Sequence, residues 1–180
     1  MKTKNTIEQT ELNLGIPPTV TPLKNYRVPV YRVTLVRDGS VTAEATRETV
    51  DSPAVVAELV RKLIGDSPQE HLVAIYTDAR CRVIGMSEIS RGTASSSLVH
   101  PRECLRPAIL LNATGWLAAH NHPSGDCTPS PDDRETTRRL VRASELVGIP
   151  LVDHLVVTTG PQPDGGKKSF FSFREHGLIG

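Results

Sequence analysis

The sequence has little cysteine, no long apolar run and no excess of charge of one sign. Its three cysteines, Cys81, Cys104 and Cys127, lack CxxC spacing, so we expect neither a disulfide framework nor a cysteine-only zinc site. No run of about eighteen apolar residues occurs, and no apolar segment follows the charged N-terminus, which argues against a membrane span and a secretion signal. We therefore predict a cytoplasmic protein with no membrane partner.

The charges nearly cancel, with 21 basic and 20 acidic residues and a formal net charge of +1. This balance gives no global reason to expect tight binding to nucleic acid. Binding would have to be local, and a row of arginines at positions 134, 138 and 142 is one candidate. The alternative is a solvated helix face in which Glu135 and Glu145 partner the arginines.

The length of 180 residues suits one domain with one core. Residues 1–24 are polar and contain PPTVTP, which predicts a flexible N-terminal arm, so we place the domain at residues 25–180. Hydrophobic patterns predict strands at 26–36, 41–50, 71–77, 83–89, 115–120, 151–159 and 169–173. They predict helices at about 53–64, 101–111 and 131–147, the second kinked or split by Pro107. Strands that alternate with three helices predict an α/β fold with a mixed central sheet flanked by helices.

Two histidines stand one residue apart where the predicted strand at 115–120 ends. Residues i and i+2 of a strand point to the same side, so His120 and His122 would present two imidazoles together. This is the geometry of a chelating pair, although histidines at a strand end are often exposed and without a role.

The following helix adds a carboxylate. At 100° per residue, Asp133 lies on the apolar side of the helix, with Thr137, Leu140, Val141, Ser144 and Val147. A carboxylate that faces inward needs a cation or hydrogen bonds to offset its desolvation. Ser130 and Asp133 also form a capping-box pattern, which explains both residues but not the two histidines. Two imidazoles and one carboxylate are the ligands expected of an open catalytic zinc site, with Zn²⁺ favoured over Mg²⁺ or Ca²⁺.

The spacing His120-x-His122-x7-Ser130-x2-Asp133 matches the JAMM motif of JAB/MPN metalloproteases at every defined position. The surrounding segments resemble the RadC-like branch of that family over residues 50–177, namely SRGT at 90–93, HPRE at 100–103, LNA at 111–113, AHNHPSGD at 119–126, PS at 129–130, DH at 153–154 and SFRE at 172–175. This resemblance implies a deaminase-like JAB/MPN architecture. Full-length RadC relatives carry a helix-hairpin-helix region, and this chain resembles the single-domain forms.

The resemblance implies zinc-dependent hydrolysis of amide bonds, of peptidase or isopeptidase type, with a protein or peptide as substrate. It implies that His120, His122 and Asp133 bind the metal and that Ser130 donates to the oxyanion of the tetrahedral intermediate. It also implies a glutamate that takes a proton from the attacking water, just before an early buried strand. Glu70 fits that position, while Glu88 and Glu103 stay open as alternatives.

The role of Cys127 and of the other histidines is open to two interpretations. Cys127 stands where the family usually has proline, and is either a fourth metal ligand or a tolerated loop residue. His154 either supports the site by a hydrogen bond or is a satisfied core histidine. His71 and His100 are similarly ambiguous, and His176 lies near the C-terminal end of the sequence.

Two other functions remain open from the sequence. One is a nucleic-acid-binding factor associated with DNA repair or mobile elements, in which the metal is structural. The other is a metal-bearing interaction module without catalysis.

Overall fold

The computed structural model describes residues 49–50, 52–92, 99–158 and 170–180. The predicted arm, the strand predicted at 26–36 and most of the strand predicted at 41–50 lie outside the described residues. The turn predicted between the last two strands also lies outside them. Within the described ranges, every predicted helix and each remaining strand is present.

The elements follow one another along the chain as the sequence predicts. Their bounds are α1 Pro53–Val60 with a π-helical turn at Arg61–Gly65, β1 Glu70–Thr77, β2 Val83–Gly92, α2 Pro101–Leu110, β3 Gly115–Asn121, α3 Pro131–Val147, β4 Leu151–Val157 and β5 Phe170–Ser172. In the described part of the chain, no helix is long and apolar enough to cross a membrane.

The five strands form one mixed sheet in the order β2-β1-β3-β4-β5. β1 and β2 form the predicted hairpin, and all neighbours pair antiparallel except β3 and β4, which are parallel. Parallel neighbours need a crossover connection, and α3 supplies it. The end of β3 and the start of α3 are therefore adjacent in the chain.

Helices cover both faces of the sheet. On one face, Val56 and Val60 of α1 pack with the buried side chains of Val73, Leu117 and Leu155. A second core cluster on the opposite face includes side chains from α2, α3 and the sheet, among them Leu105, Leu140, Tyr76, Trp116 and Val156. This arrangement is an α/β fold with a mixed central sheet flanked by helices, as predicted.

Helix α3 begins and ends at the predicted residues. Ser130 caps its N-terminus in a capping box with Asp133, and Gly148 ends it in the left-handed conformation, with φ of 78°. Thr137, Leu140 and Ser144 are buried as expected. Val147, placed on the same stripe, is 43% exposed beside Leu146, which is 89% exposed. The last turn of α3 thus extends beyond the core.

Helix α2 contains Pro107 but is not split there. Proline removes one backbone hydrogen bond, and a helix can tolerate that loss where tertiary packing holds it. Cys104, Leu105 and Ala108 supply this packing, since all three are at most 5% exposed.

Candidate metal centre

Three elements bring the predicted site residues together. Leu72 of β1 pairs with His120 of β3, and continuing this antiparallel register by two residues sets Glu70 opposite His122. The first turn of α3 adds Asp133 from the side. One ligand atom from each of Glu70, His120, His122 and Asp133 lies within 4.8 Å of the other three. The chain therefore contains a cluster that could hold a metal ion.

The distances within the cluster suit a tetrahedral ion. Nε2 of His120 lies 3.1 Å from Nε2 of His122 and 3.2 Å from Oδ1 of Asp133. Nε2 of His122 lies 3.5 Å from Oδ2 of Asp133. Zinc–ligand bonds of about 2.0–2.1 Å in a tetrahedron place neighbouring ligand atoms about 3.3 Å apart. The separations of the two imidazoles from each other and from the nearer carboxylate oxygen of each are close to this value, and the two Asp133 distances are to different oxygens.

A hydrogen bond to the backbone determines which ring nitrogen of His122 carries the proton. Nδ1 of His122 lies 2.7 Å from the carbonyl oxygen of Asp126. A carbonyl oxygen can only accept, so Nδ1 carries the proton and donates it. In the neutral ring, Nε2 then has a lone pair directed at the cluster, and such a bond from the outer nitrogen is typical of metal-binding histidines.

Electrostatics favour an ionised carboxylate here. Burial by itself would raise the pKa of Asp133, but hydrogen bonds from His120, His122 and Ser130 and the charge on His120 hold it well below its usual range. Burial by itself would lower the pKa of His122, but hydrogen bonds to Asp133 and to the Asp126 carbonyl raise it, with charge from Asp133 and Glu70. The cluster is therefore a site for positive charge, whether carried by a proton or by a metal ion.

Ser130 is directed at Asp133. Its hydroxyl donates to Oδ2 of Asp133 at 2.7 Å and accepts from the Asp133 backbone nitrogen at 3.1 Å. The Ser130 backbone nitrogen also donates to Oδ2, at 2.7 Å. The capping box therefore fixes the carboxylate that faces the two histidines, so capping is compatible with the predicted metal site.

Of the three glutamates considered for proton transfer, Glu70 alone belongs to the cluster. Glu88 instead forms a two-bond ion pair with Arg91 and lies 3.5 Å from Nδ1 of His71. Glu103 is paired with Arg102 and Arg106 on the exposed side of α2. The geometry favours Glu70 over both alternatives.

The remaining predicted residues lie outside the cluster or behind it. Cys127 is half-buried and packs against the core, outside the group that could hold an ion. His154 is 1% exposed, and its Nε2 lies 2.9 Å from Nδ1 of His120. It is therefore a core histidine whose ring nitrogens both have partners, and one of those partners is the predicted ligand His120, so the contacts agree with both interpretations.

The other three histidines have local partners. His71 lies 2.7 Å from the Ser67 hydroxyl, His100 accepts a hydrogen bond at the N-terminus of α2, and His176 stacks on Phe171.

One residue that holds the site together was not singled out from the sequence. The side chain of Asn121, fully buried between the two histidine positions, accepts from the His71 backbone nitrogen and donates to the carbonyl oxygens of Ser67 and Gln69. It ties the start of β1, which carries Glu70, to the end of β3. The sequence did offer a signal. Asn121 alternates with the two histidines and so points to the opposite, buried side of the strand, where a polar side chain needs hydrogen-bond partners.

The cluster borders an open cleft of about 260 Å³. Ser90, Arg91 and Gly92 at the end of β2 line one part of it, and Asp132 and Thr136 of α3 line another. The cluster of potential ligands therefore opens to solvent on this side.

The arginine row of α3 includes an acidic partner. Arg138 donates twice to Glu135, at 2.6 and 3.1 Å. Hydrogen bonds and charge from Arg138, with further charge from Arg142 and Arg139, lower the pKa of Glu135. These contacts favour a solvated helix face, and nucleic-acid binding stays a prediction.

Comparison with known families agrees with the fold and the cluster. The RadC-like JAB domain family matches residues 50–178. The chain therefore belongs to the RadC family of JAB-domain proteins.

The similar curated proteins are bacterial. A UPF0758 protein of Rubrobacter xylanophilus is 41% identical over 145 residues, which are 81% of this chain and 60% of the relative. A UPF0758 protein of Burkholderia cenocepacia is 38% identical over 173 residues, 96% of this chain and 64% of the relative. A UPF0758 protein of Thermotoga maritima is 40% identical over 136 residues, which are 76% of this chain and 57% of the relative. The matches thus span about 60% of the relatives' length, and the names state no activity.

Proposed function

We propose that this chain is a zinc-dependent hydrolase of peptidase or isopeptidase type. The observation that carries the proposal is that one ligand atom from each of His120, His122, Asp133 and Glu70 lies within 4.8 Å of the others, with the two imidazole Nε2 atoms 3.1 Å apart. Membership in the RadC-like JAB family supports it, since JAB domains include metalloproteases.

His120, His122 and Asp133 would hold the ion. A Zn²⁺ ion with three protein ligands supplies a Lewis acid that lowers the pKa of water to about 7. The carboxylate of Asp133 partly balances the charge of the ion, and the protonated Nδ1 of His122 keeps its Nε2 available as a ligand.

Glu70 is placed to move the proton. Its carboxylate lies within 4.8 Å of the other ligand atoms, at the start of β1. It would accept a proton from the attacking water and return it to the leaving amine, the role of a general base followed by a general acid. Asn121 keeps this end of β1 in place while the proton moves.

Ser130 would donate its hydroxyl to the oxyanion of the tetrahedral intermediate. In the structure that hydrogen is directed to Oδ2 of Asp133, so the hydroxyl has to rotate to reach a substrate. Its position beside the cluster, and its share in the lining of the cleft, support this role.

A protein or peptide is the proposed substrate. The cleft runs between the end of an exposed strand, β2, and the first turn of α3. An extended chain fits such an opening, because its scissile amide can approach the cluster while the flanking residues remain outside.

The first experiment measures zinc per chain in protein purified without chelator. The parent should bind about one ion, and His122→Ala and Asp133→Ala should lose it while remaining folded. His100→Ala is the matched control, since this exposed histidine lies outside the cluster. A parent that takes up no zinc, even when zinc is supplied, would overturn the proposal.

The second experiment separates the glutamates on any amide substrate that the parent cleaves. Glu70→Gln should keep zinc and lower kcat by about 10²–10⁴-fold, the usual contribution of general acid–base catalysis. Glu103→Gln should retain activity, because Glu103 pairs with arginines on the exposed side of α2. A large loss in Glu88→Gln, with Glu70→Gln active, would reassign the base.

A further inference from the structure

Behind His120 lies a chain of three short hydrogen bonds that ends on the helix backbone. Nδ1 of His120 is 2.9 Å from Nε2 of His154. Nδ1 of His154 is 2.7 Å from Oγ1 of Thr137, and that hydroxyl is 2.6 Å from the carbonyl oxygen of Asp133. His154 and Thr137 are each 1% exposed. Water therefore has little access to either group.

The direction of each bond follows from the last one. The Asp133 carbonyl oxygen can only accept, so the single proton of the Thr137 hydroxyl is donated to it. The same hydroxyl must then accept from His154, which places a proton on Nδ1 of His154. With that ring neutral, its Nε2 has a lone pair and accepts from His120. The proton of His120 accordingly lies on Nδ1.

Burial keeps the His154 ring neutral. The ring is enclosed in the core and stacks on Phe173, with the ring centres 4.9 Å apart and the planes inclined by 11°. Only 1% of the residue is exposed, so a charge on the ring would be almost without hydration, and burial therefore favours the neutral form.

We propose that Thr137 and His154 are positioning residues that fix His120 in the tautomer whose Nε2 lone pair faces the metal cluster. The inference rests on the proposed metal site but goes beyond it, because it assigns a role to two residues that do not contact the ion. His122 reaches the same tautomer by donating to the Asp126 carbonyl. Different hydrogen bonds on Nδ1 thus leave the Nε2 lone pairs of both His120 and His122 facing the metal cluster.

Because the carbonyl at the end of the chain belongs to Asp133, the support joins two metal ligands. Through Thr137 and His154, the backbone carbonyl of Asp133 determines which nitrogen of His120 carries the proton. Removing the Thr137 hydroxyl leaves the Nδ1–H of His154 without its acceptor. The ring can then move its proton to Nε2, and His120 in turn must protonate the nitrogen that should bind the metal.

The test compares Thr137→Val with Thr77→Val. Thr77 is also buried and its hydroxyl donates to the Gly115 carbonyl at 3.1 Å, at the opposite end of β1 from Glu70. We expect zinc affinity, measured by competition with a chelator, to fall about 10–100-fold in Thr137→Val and to stay at the parent value in Thr77→Val. Thr137→Ser restores the hydroxyl and should recover most of the affinity.

A second readout does not need the metal. Long-range ¹⁵N–¹H spectra of the metal-free protein above pH 8 should show His120 and His154 protonated on Nδ1 in the parent, and on Nε2 in Thr137→Val. Finding His154 protonated on Nε2 in the parent, or equal zinc affinities in the two valine variants, would overturn the inference. A parent with these tautomers that binds no zinc would overturn the proposed function and leave the hydrogen-bond chain established.

Discussion

The side-chain oxygen of Asn121 lies 2.8 Å from the backbone nitrogen of His71 and accepts its hydrogen bond. The two residues are 50 positions apart in the chain. Asn121 stands between the two histidines of β3, and His71 follows Glu70 on β1. This contact therefore fixes the proposed base relative to the proposed ligands.

Asn121→Ala should lower the free energy of unfolding by about 2–4 kcal/mol, because it leaves a buried N–H and two carbonyl groups without their partner. It should also lower kcat, since the Glu70 end of β1 is no longer held, while zinc content stays near one. Urea unfolding and turnover measure the two effects. Thr77→Val, which removes a single buried hydroxyl bond, is the comparison, and equal stabilities of the two variants would contradict this expectation.

Ser130→Ala and Ser130→Gly separate capping from catalysis. The N-cap loss costs about 1 kcal/mol with alanine and only a few tenths with glycine. If the hydroxyl stabilises the oxyanion, both variants should lower kcat by about 10²–10³-fold and retain zinc. A rate that falls with alanine but not with glycine would show that Ser130 is only a helix cap.

Zinc uptake should weaken as the pH falls. The pKa of His122 is raised above its usual value, so protons begin to compete for its Nε2 at or above about pH 6.5. The pKa of Asp133 is lowered, so its carboxylate stays ionised over this range. Affinity should fall about tenfold per pH unit for each proton displaced. Competition with a chelator at pH values from about 5.5 to about 8.5 measures the zinc affinity, and an affinity that does not change with pH would contradict this prediction.

Alkaline pH should destabilise the fold. Burial, with a smaller effect from the charge of Glu103, raises the pKa of the Cys104 thiol to about 12, and burial also raises the pKa of Tyr76. A raised folded-state pKa gives stability that is complete below the unfolded-state value, near 8.5 for cysteine and 10 for tyrosine, and is lost as the pH rises further.

Each group should therefore lower the free energy of unfolding by up to about 1.4 kcal/mol per pH unit above its unfolded-state pKa. Between about pH 9 and 10, the free energy of unfolding measured with urea should fall less steeply with pH in Cys104→Ala than in the parent. Cys81→Ser, at an exposed position, should keep the parent slope. Identical slopes in Cys104→Ala and the parent would exclude a contribution from Cys104.

Some features were predictable because they depend on neighbours in the chain. Strand alternation places His120 and His122 on one side, and the helical period places Asp133 and Thr137 on the inner face of α3. The capping residues Ser130 and Gly148 mark the helix ends. The exposure of Val147 was missed, because periodicity gives the face of a residue but not where the underlying sheet ends.

The sequence by itself determined the spacing of the two histidines, Ser130 and Asp133, the helix whose first turn carries Asp133 and the family that these residues resemble. The tertiary structure decided that Glu70 joins the cluster rather than Glu88 or Glu103, that the Asn121 side chain bonds to the start of β1, and that Thr137 and His154 form a hydrogen-bond chain to His120. These relationships join residues distant in the chain. They depend on strand order and register, which local hydrophobic patterns do not encode, because the same alternation satisfies any pairing that buries the apolar face.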